Sequence, residues 1–282
     1  MSVPPPATVP VWVDTDLVVD TSGTTDPDDL IALRLLAWLP PAARLGISAS
    51  SANGSQAATR ASLDRYVGLD HIIKPEAVCQ MKLGLQTRAP DGVTLLALGP
   101  GTNLPQLISC FRQQQVPIRE VIFVGGREPG EQFWLSAPIS FIRPLRDLNY
   151  EADPAAFRAM IDLDVPITLV PFRSGNALRL RLGEVAPGLD DRAYRTVRNW
   201  IATLSLVGGA GTMPAFDPTA VAYLFWPEAF DCRPVWLEAT ADALIAQPTT
   251  TDGKPAHWCE PRVPSDLAAR IRILLRTPEP RG

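Results

Sequence analysis

Residues 11–36 read VWVDTDLVVDTSGTTDPDDLIALRLL, and the rest of the chain is arranged around them. Val11, Trp12 and Val13 read as the end of a buried strand. Asp14 and Asp16 stand where that strand runs out. A loop rich in Thr, Ser and Gly leads to Asp26-Pro27-Asp28-Asp29. A helix begins there, with Leu30, Ile31, Leu33, Leu35 and Leu36 at its apolar positions. Carboxylates gathered at a strand end and a helix start repel each other, and burying them together is costly unless a cation neutralises them. Donors that are all oxygen point to a hard ion, calcium or magnesium, rather than zinc. Capping and the helix dipole account for Asp28 and Asp29 without a metal. They do not account for Asp14 and Asp16 directly after an apolar strand, so a metal fits the cluster better.

Outward from this stretch the same alternation recurs. Ala43 to Ser51 reads as a strand, Ala52-Asn53-Gly54 as a turn and Ser55 to Tyr66 as a helix. Asn53 therefore lies at a strand-to-helix turn, although turn chemistry alone would explain Asn53-Gly54. His71 to Pro75 has the look of a short strand. Thr94 to Leu98 is a clear one, ending in Gly99-Pro100-Gly101-Thr102-Asn103 before the helical LPQLISCF. Arg119 to Val124 closes on Gly125-Gly126, with neither the spacing of a dinucleotide loop nor the lysine of a P-loop. Glu128 to Arg146 is a long irregular loop, of the kind that tends to be functional. Asp147-Leu148-Asn149 leads to Asp153-Pro154, where Asp153 should cap a helix over Ala155 to Ile161. Ile167 to Val170 is a strand and Leu189 to Leu206 a helix. Gly208 to Ala215 reads as small and flexible, and Phe216-Asp217-Pro218 opens a helix through Phe225. Pro234 to Leu244 and the segment around Gly253 read as a terminal β excursion. Ser265 caps a last helix that stops before Pro278.

Strands alternating with helices predict an α/β fold, a mostly parallel Rossmann-like sheet flanked by helices, in a single domain over residues 1–282. In such sheets ligands sit beyond the carboxyl ends of the strands. Asp14, Asp16, Asn53, Asn149 and Asp217 all fall at ends of that kind or in the loops after them.

Composition narrows the class. With 46% hydrophobic and 20% charged residues, the 282-residue chain is that of a globular protein. A net charge of −4 gives no basic footprint for nucleic acid. No apolar run reaches the ~20 residues needed to span a bilayer, and MSVPPPATVP lacks the basic start and apolar core of a secretory signal. Cys79, Cys110, Cys232 and Cys259 are scattered without metal-ligand spacing and read as reduced, mostly buried thiols of a cytoplasmic protein. Two histidines, His71 and His257, leave little material for a zinc site or a Ser-His-Asp triad.

Taken in order, these motifs resemble the nucleoside hydrolase family of the inosine–uridine preferring type. Asp14-x-Asp16 with Asp28-Asp29 is similar to its D-x-D-x-x-x-D-D, with Leu17 to Pro27 lengthening the spacer. LLALGPGTNLPQL looks like its L-A-L-G-P-x-T-N-L, and VIFVGG like its strand ending in Gly-Gly. Asp147-Leu148-Asn149 with Asp153-Pro154 matches E-F-N-x-x-x-D-P with Glu shortened to Asp. Phe216-Asp217-Pro218 with Ala220 to Leu224 matches H-D-P-x-A-V-A-Y-L with His replaced by Phe. The resemblance implies calcium, with magnesium the second choice, held by Asp16, Asp29, Asp217 and the carbonyl of Val124. Asp16 would also take a proton from the attacking water. Asp28, Asn53, Asp147 and Asn149 would bind the ribose hydroxyls of a small-molecule nucleoside. A homodimer or homotetramer is implied by the same analogy. With Phe216 where the family has its histidine, purine nucleosides are expected to be poor substrates. Phe133, Trp134 or Arg143 could stack on a base.

Two other readings stand beside this one. A phosphatase of the haloacid dehalogenase type also opens on D-x-D, with Asp14 as nucleophile and Asp16 as acid. It needs a later lysine and a strand-end acid pair, for which Asp190-Asp191 is the adjacent pair on offer. Alternatively the scaffold binds ribose or a nucleoside without turnover, as Phe216 and the long spacer suggest.

Overall fold

The computed structural model describes residues 9–67, 75–80, 84–135, 144–206, 208, 210–249 and 253–277. Its strands are β1 Val11–Thr15, β2 Arg44–Ala49, β3 Val93–Ala97, β4 Ile118–Val124, β5 Ile167–Val170, β6 Arg179–Arg181, β7 Thr212–Pro214, β8 Phe230–Ala239, β9 Leu244–Gln247 and β10 Lys254–Pro261. The helices are α1 Asp28–Leu36, α2 Gln56–Tyr66, α3 Pro75–Gln80, α4 Gly84–Arg88, α5 Leu104–Gln113, α6 Leu148–Glu151, α7 Pro154–Ile161, α8 Phe172–Ala177, α9 Leu182–Val185, α10 Asp191–Leu206, α11 Phe216–Phe225 and α12 Pro264–Arg276.

One large sheet has the order β2-β1-β3-β4-β5-β10-β8-β9. β2 through β10 in that order run parallel, and β8 and β9 are antiparallel additions at one edge. Strands covered on both faces carry nearly unbroken apolar runs, as VWV, TLLA and VIFV do. Successive residues point to opposite faces. Val11, Val13, Leu96 and Ile122 therefore join α1, α11 and α12 in one core. Trp12, Leu95, Val121 and Phe123 join α5 and α7 in the other. The mostly parallel α/β architecture expected from the alternation of elements is the one observed.

Four details differ from expectation. Gly208 to Ala215 is not merely a flexible connector: Thr212–Pro214 pairs with Arg179–Arg181 in a small antiparallel ribbon. β10 is no terminal excursion, because His257 and Trp258 pair in parallel with Thr168 and Leu169 and so extend the main sheet. Ser265 does not cap α12; Pro264 occupies the first turn after Val263, and no side chain closes that end. The cysteines are paired rather than free. Cys232 faces Cys259 across the β8–β10 ladder, and Cys79 on α3 meets Cys110 on α5. Separations of 31 and 27 residues hide these partners in the sequence, since strand register and helix packing create them. The short strand expected at His71 to Pro75 falls on residues outside those described, except Pro75, which opens α3. Among the described residues no helix is long and apolar enough to cross a membrane.

Candidate active site

β1 stops at Thr15, so Asp14 and Asp16 sit at the carboxyl edge of the sheet. Asp14 points into protein. Ser48 and Asn103 donate to its Oδ1 at 2.5 and 2.7 Å, and its Oδ2 is buried without a partner. Desolvation lifts this carboxyl to about 7 against the bonds from Asn103 and Ser48. Asp16 accepts the Asn53 backbone N–H at 2.7 Å. Burial raises it to about 7 as well; the Asn53 bond opposes that shift, and the charges of Asp28 and Asp14 add to it.

Opposite them, α1 starts with two buried acids. Asp29 accepts the Thr15 hydroxyl and, at 3.5 Å, the Asn53 side-chain amide. Asp28 accepts the Asp217 backbone N–H at 2.9 Å, while its own N–H donates to Asp26 at 3.1 Å. Asp217 lies in the first turn of α11, and its Oδ2 has no partner in the protein. Carboxylate oxygens of Asp28, Asp29 and Asp217 come within 4.8 Å of one another. Burial first, and the neighbouring carboxylates next, push Asp29 and Asp217 well above the usual carboxylate range. Asp16 is among the charges that raise both. Acids so arranged, one with an orphaned oxygen, are what a hard divalent cation requires.

These residues line a cavity of about 310 Å³ with Asn53, Val124, Asp147, Asn149 and Phe216. The eight residues that the resemblance assigned to the metal and the ribose thus share one cavity, while Asp14 does not line it. Their bonds divide them. Asn149 donates to the carbonyls of Leu98 and Val124 at 3.1 and 3.0 Å, so its amide already engages the Val124 oxygen. Asp147 is taken up by backbone: Gly126 N–H donates at 2.7 Å and Tyr150 N–H at 3.3 Å. Burial still lifts it to about 6. Gly125 permits that approach, since with φ +148° a Cβ there would lie 2.9 Å from Asp147 Oδ1.

The long spacer is a strap. Leu17, Val18 and Val19 are buried. Val19 N–H donates to Ser62 on α2 at 3.0 Å, while Arg192 and Asn199 on α10 donate to the carbonyls of Val19 and Thr21. The strap delivers Thr24 and Asp26 to the cavity.

Part of the cavity wall is aromatic. Phe133 stacks on Phe172 at 4.1 Å and 4°, and Phe172 on Phe216 at 4.8 Å and 29°. The Arg127 guanidinium covers Phe133 at 4.8 Å. Trp200 on α10 also lines the cavity, with its indole N–H buried and unpartnered. Phe133 and Phe216 are candidates legible in the sequence, whereas Phe172, Trp200 and the Asn103 that holds Asp14 emerge only in the fold. Asn103 lay in plain view, just after the third strand. A single aromatic after a strand or on a helix carries no such signal. Trp134 does not line the cavity; its carbonyl accepts from Asn176 at 2.9 Å. Arg143 lies outside the described residues.

The family model of inosine-uridine preferring nucleoside hydrolases matches residues 63–258. The chain belongs to that family. It is 24% identical over 245 residues to the pyrimidine-specific ribonucleoside hydrolase RihA of Shewanella woodyi, covering 78% of this chain and 73% of the relative. The RihA of Shewanella oneidensis is 22% identical over 270 residues, or 85% and 80% of the two chains. In fold, the chain is similar to a plant nucleoside hydrolase with a TM-score of 0.72, 14% identity and coverage of 97% and 100%. A purine-preferring ribonucleoside hydrolase from Gardnerella vaginalis gives 0.70, 13%, 94% and 99%. The nucleoside hydrolase match leaves the acids of the opening stretch outside its span, so their role rests on the cavity itself. The acid pair that the phosphatase reading needs lies elsewhere: Asp190 caps α10 and binds Arg65, and neither it nor Asp191 lines the cavity.

Proposed function

We propose that this nucleoside hydrolase cleaves the N-glycosidic bond of a ribonucleoside or related ribosyl compound, releasing ribose and free base with calcium as cofactor. The observation that carries this reading is the buried group Asp28, Asp29 and Asp217, with an orphaned oxygen on Asp217, in one cavity with Asp16 and Asn53. Asp16, Asp29 and Asp217 would hold the ion, and the carbonyl of Val124 would join them once Asn149 releases it. A divalent cation supplies, when bound, a field that acidifies and positions water. Asp16 takes the proton of the attacking water, a role worth ~10²–10⁴-fold. Asp28, Asn53 and Asn149 bind the ribose hydroxyls, and a sugar lacking them would leave buried polar groups unpaired. Asp147, anchored to Gly126 and Tyr150, fixes the loop that carries Asn149 and contacts the sugar with what lone pairs remain. Phe216 offers the departing base no proton. Purine nucleosides should therefore turn over slowly beside a 4-nitrophenyl riboside, whose leaving group needs none.

A reducing-sugar assay over a nucleoside panel, with calcium or with chelator, tests the reading. Ribose released only with calcium, and lost in Asp16→Asn, is the expected result. Binding of ribose without any release over hours would favour the binding-only alternative, which Phe216 supports. The same assay against a generic phosphate ester should release no phosphate.

A further inference from the structure

We propose that the leaving group is recognised by apolar area: the substrate class is a ribosylated heterocycle carrying an aliphatic or aryl substituent, rather than a bare base read by its polar edge. The proposal rests on the hydrolase reading and deepens it. With the ion and the ribose at the acidic end of the cavity, the ring attached to C1′ must lie against the rest of the wall. Besides the Trp200 indole, the polar side chains that remain there among the described residues are Thr24, Asp26 and Arg146. Each has a partner. Thr24 bonds Ser22 at 2.7 Å, Asp26 accepts the Asp28 N–H at 3.1 Å, and Arg146 donates to Glu151 at 2.7 Å.

Most of the remaining wall is hydrocarbon. Phe133, Phe172 and Phe216 form one stacked column, with centroids 4.1 and 4.8 Å apart, and it ends on the partly exposed Phe216 next to Asp217 in the chain. Trp200 and Leu204, one turn apart on α10, line the same space. The Trp200 N–H is buried without a partner, so the indole meets the cavity with carbon. Leu135, Leu145 and Leu148 carry this surface outward. Leu145 and Leu148 are 37% and 46% exposed, two of the six large apolar side chains exposed among the described residues. A lone exposed leucine needs no explanation, but leucines continuous with a buried aromatic wall mark a binding surface. A flat ring can stack inside, and a substituent on its far edge can cover the leucines at the mouth. Such a wall selects by apolar size, where one methylene is worth ~10–200-fold. Sharper discrimination of a polar edge needs side chains free to hydrogen-bond it.

Two measurements on the full chain with calcium test this. The first compares kcat/KM for the ribosides of 6-benzylaminopurine, 6-(2-hydroxyethylamino)purine and adenine, whose shared purine keeps the leaving chemistry in common. The benzyl riboside should exceed adenosine by at least ~10-fold, chiefly through a lower KM. The hydroxyethyl riboside should gain nothing. Leu145→Asn, a change at an exposed position, should shrink the benzyl advantage. The second measurement titrates the free rings by calorimetry. 6-Benzylaminopurine should bind more tightly than adenine and with a more negative heat-capacity change, the mark of apolar burial. Equal kcat/KM for the three ribosides, an equal gain from the hydroxyethyl group, or an undiminished advantage in Leu145→Asn overturns the proposal and leaves the hydrolase reading standing. No ribose from any of the three, with tighter binding of the benzyl ring, removes the hydrolase reading and keeps the apolar subsite. No ribose and equal binding removes both.

Discussion

Asp217 carries a buried carboxylate oxygen with no protein partner, pressed against Asp28 and Asp29. Without an ion this is repulsion stored in the fold; with one it is a ligand set. Asp217→Asn should therefore raise the melting temperature of the protein in chelator, yet abolish the further rise on adding calcium. Ribose release should drop at least ~10²-fold. Thermal melts with and without calcium check the first pair of expectations and the sugar assay the last. Asn103 behaves oppositely. Its amide bridges Asp14 and the Ala49 carbonyl at 2.7 and 3.0 Å, so Asn103→Ala leaves an already half-satisfied buried acid with one bond fewer. Urea denaturation should show a loss of about 1–3 kcal/mol.

At the scale of elements, the carboxyl ends of β1, β2, β3 and β4 and the first turns of α1 and α11 carry the site. Close approach between them is set by glycine. A Cβ on Gly99 would lie 2.5 Å from Ser50 Oγ and 2.9 Å from Asp16 Oδ1. Gly99→Ala should displace the Asp16 carboxylate and lower kcat more than it raises KM, which steady-state kinetics would read. Much of this was legible in the sequence, because β1 and β2 run out into polar residues, β3 and β4 into glycine turns, and a buried parallel strand announces itself by an unbroken apolar run. Phe216–Phe225 begins and ends where the sequence placed it. What stayed hidden depended on partners distant in the chain. The strand Thr212–Pro214 exists only because Arg179–Arg181 is there to pair with it. β10 joins the main sheet through β5, a neighbour some ninety residues earlier in the chain, and the cysteine pairs follow from register and packing. Phe172 and Trp200 show their role only once α8 and α10 are folded against the cavity. The spacer Leu17 to Pro27 reads as an insertion and proves to be a strap because α2 and α10 supply donors and acceptors for its backbone.

For the whole molecule, the gathering of raised carboxyls sets the pH response. Asp14 and Asp16 lie near 7 and Asp147 near 6, against 3.8 when exposed in the unfolded chain. Between those values the folded chain holds more protons than the unfolded one, so stability falls as pH rises through that window. In chelator the protein should melt at a higher temperature at pH 5.5 than at pH 7.5. Calcium should stabilise most at the higher pH, where the acids are ionised and free to bind it. A melting temperature that rises with pH in chelator would contradict the burial of these groups. In the proposed site the acids of residues 16, 29 and 217 converge on one divalent cation at the rim of the sheet, with Asp28 beside them. Calcium titration calorimetry on the chain and on Asp29→Asn tests it most directly. One ion per chain should bind tightly, with that binding abolished in the variant; absent heat in the native chain, or unchanged affinity in the variant, would contradict the shared ion site.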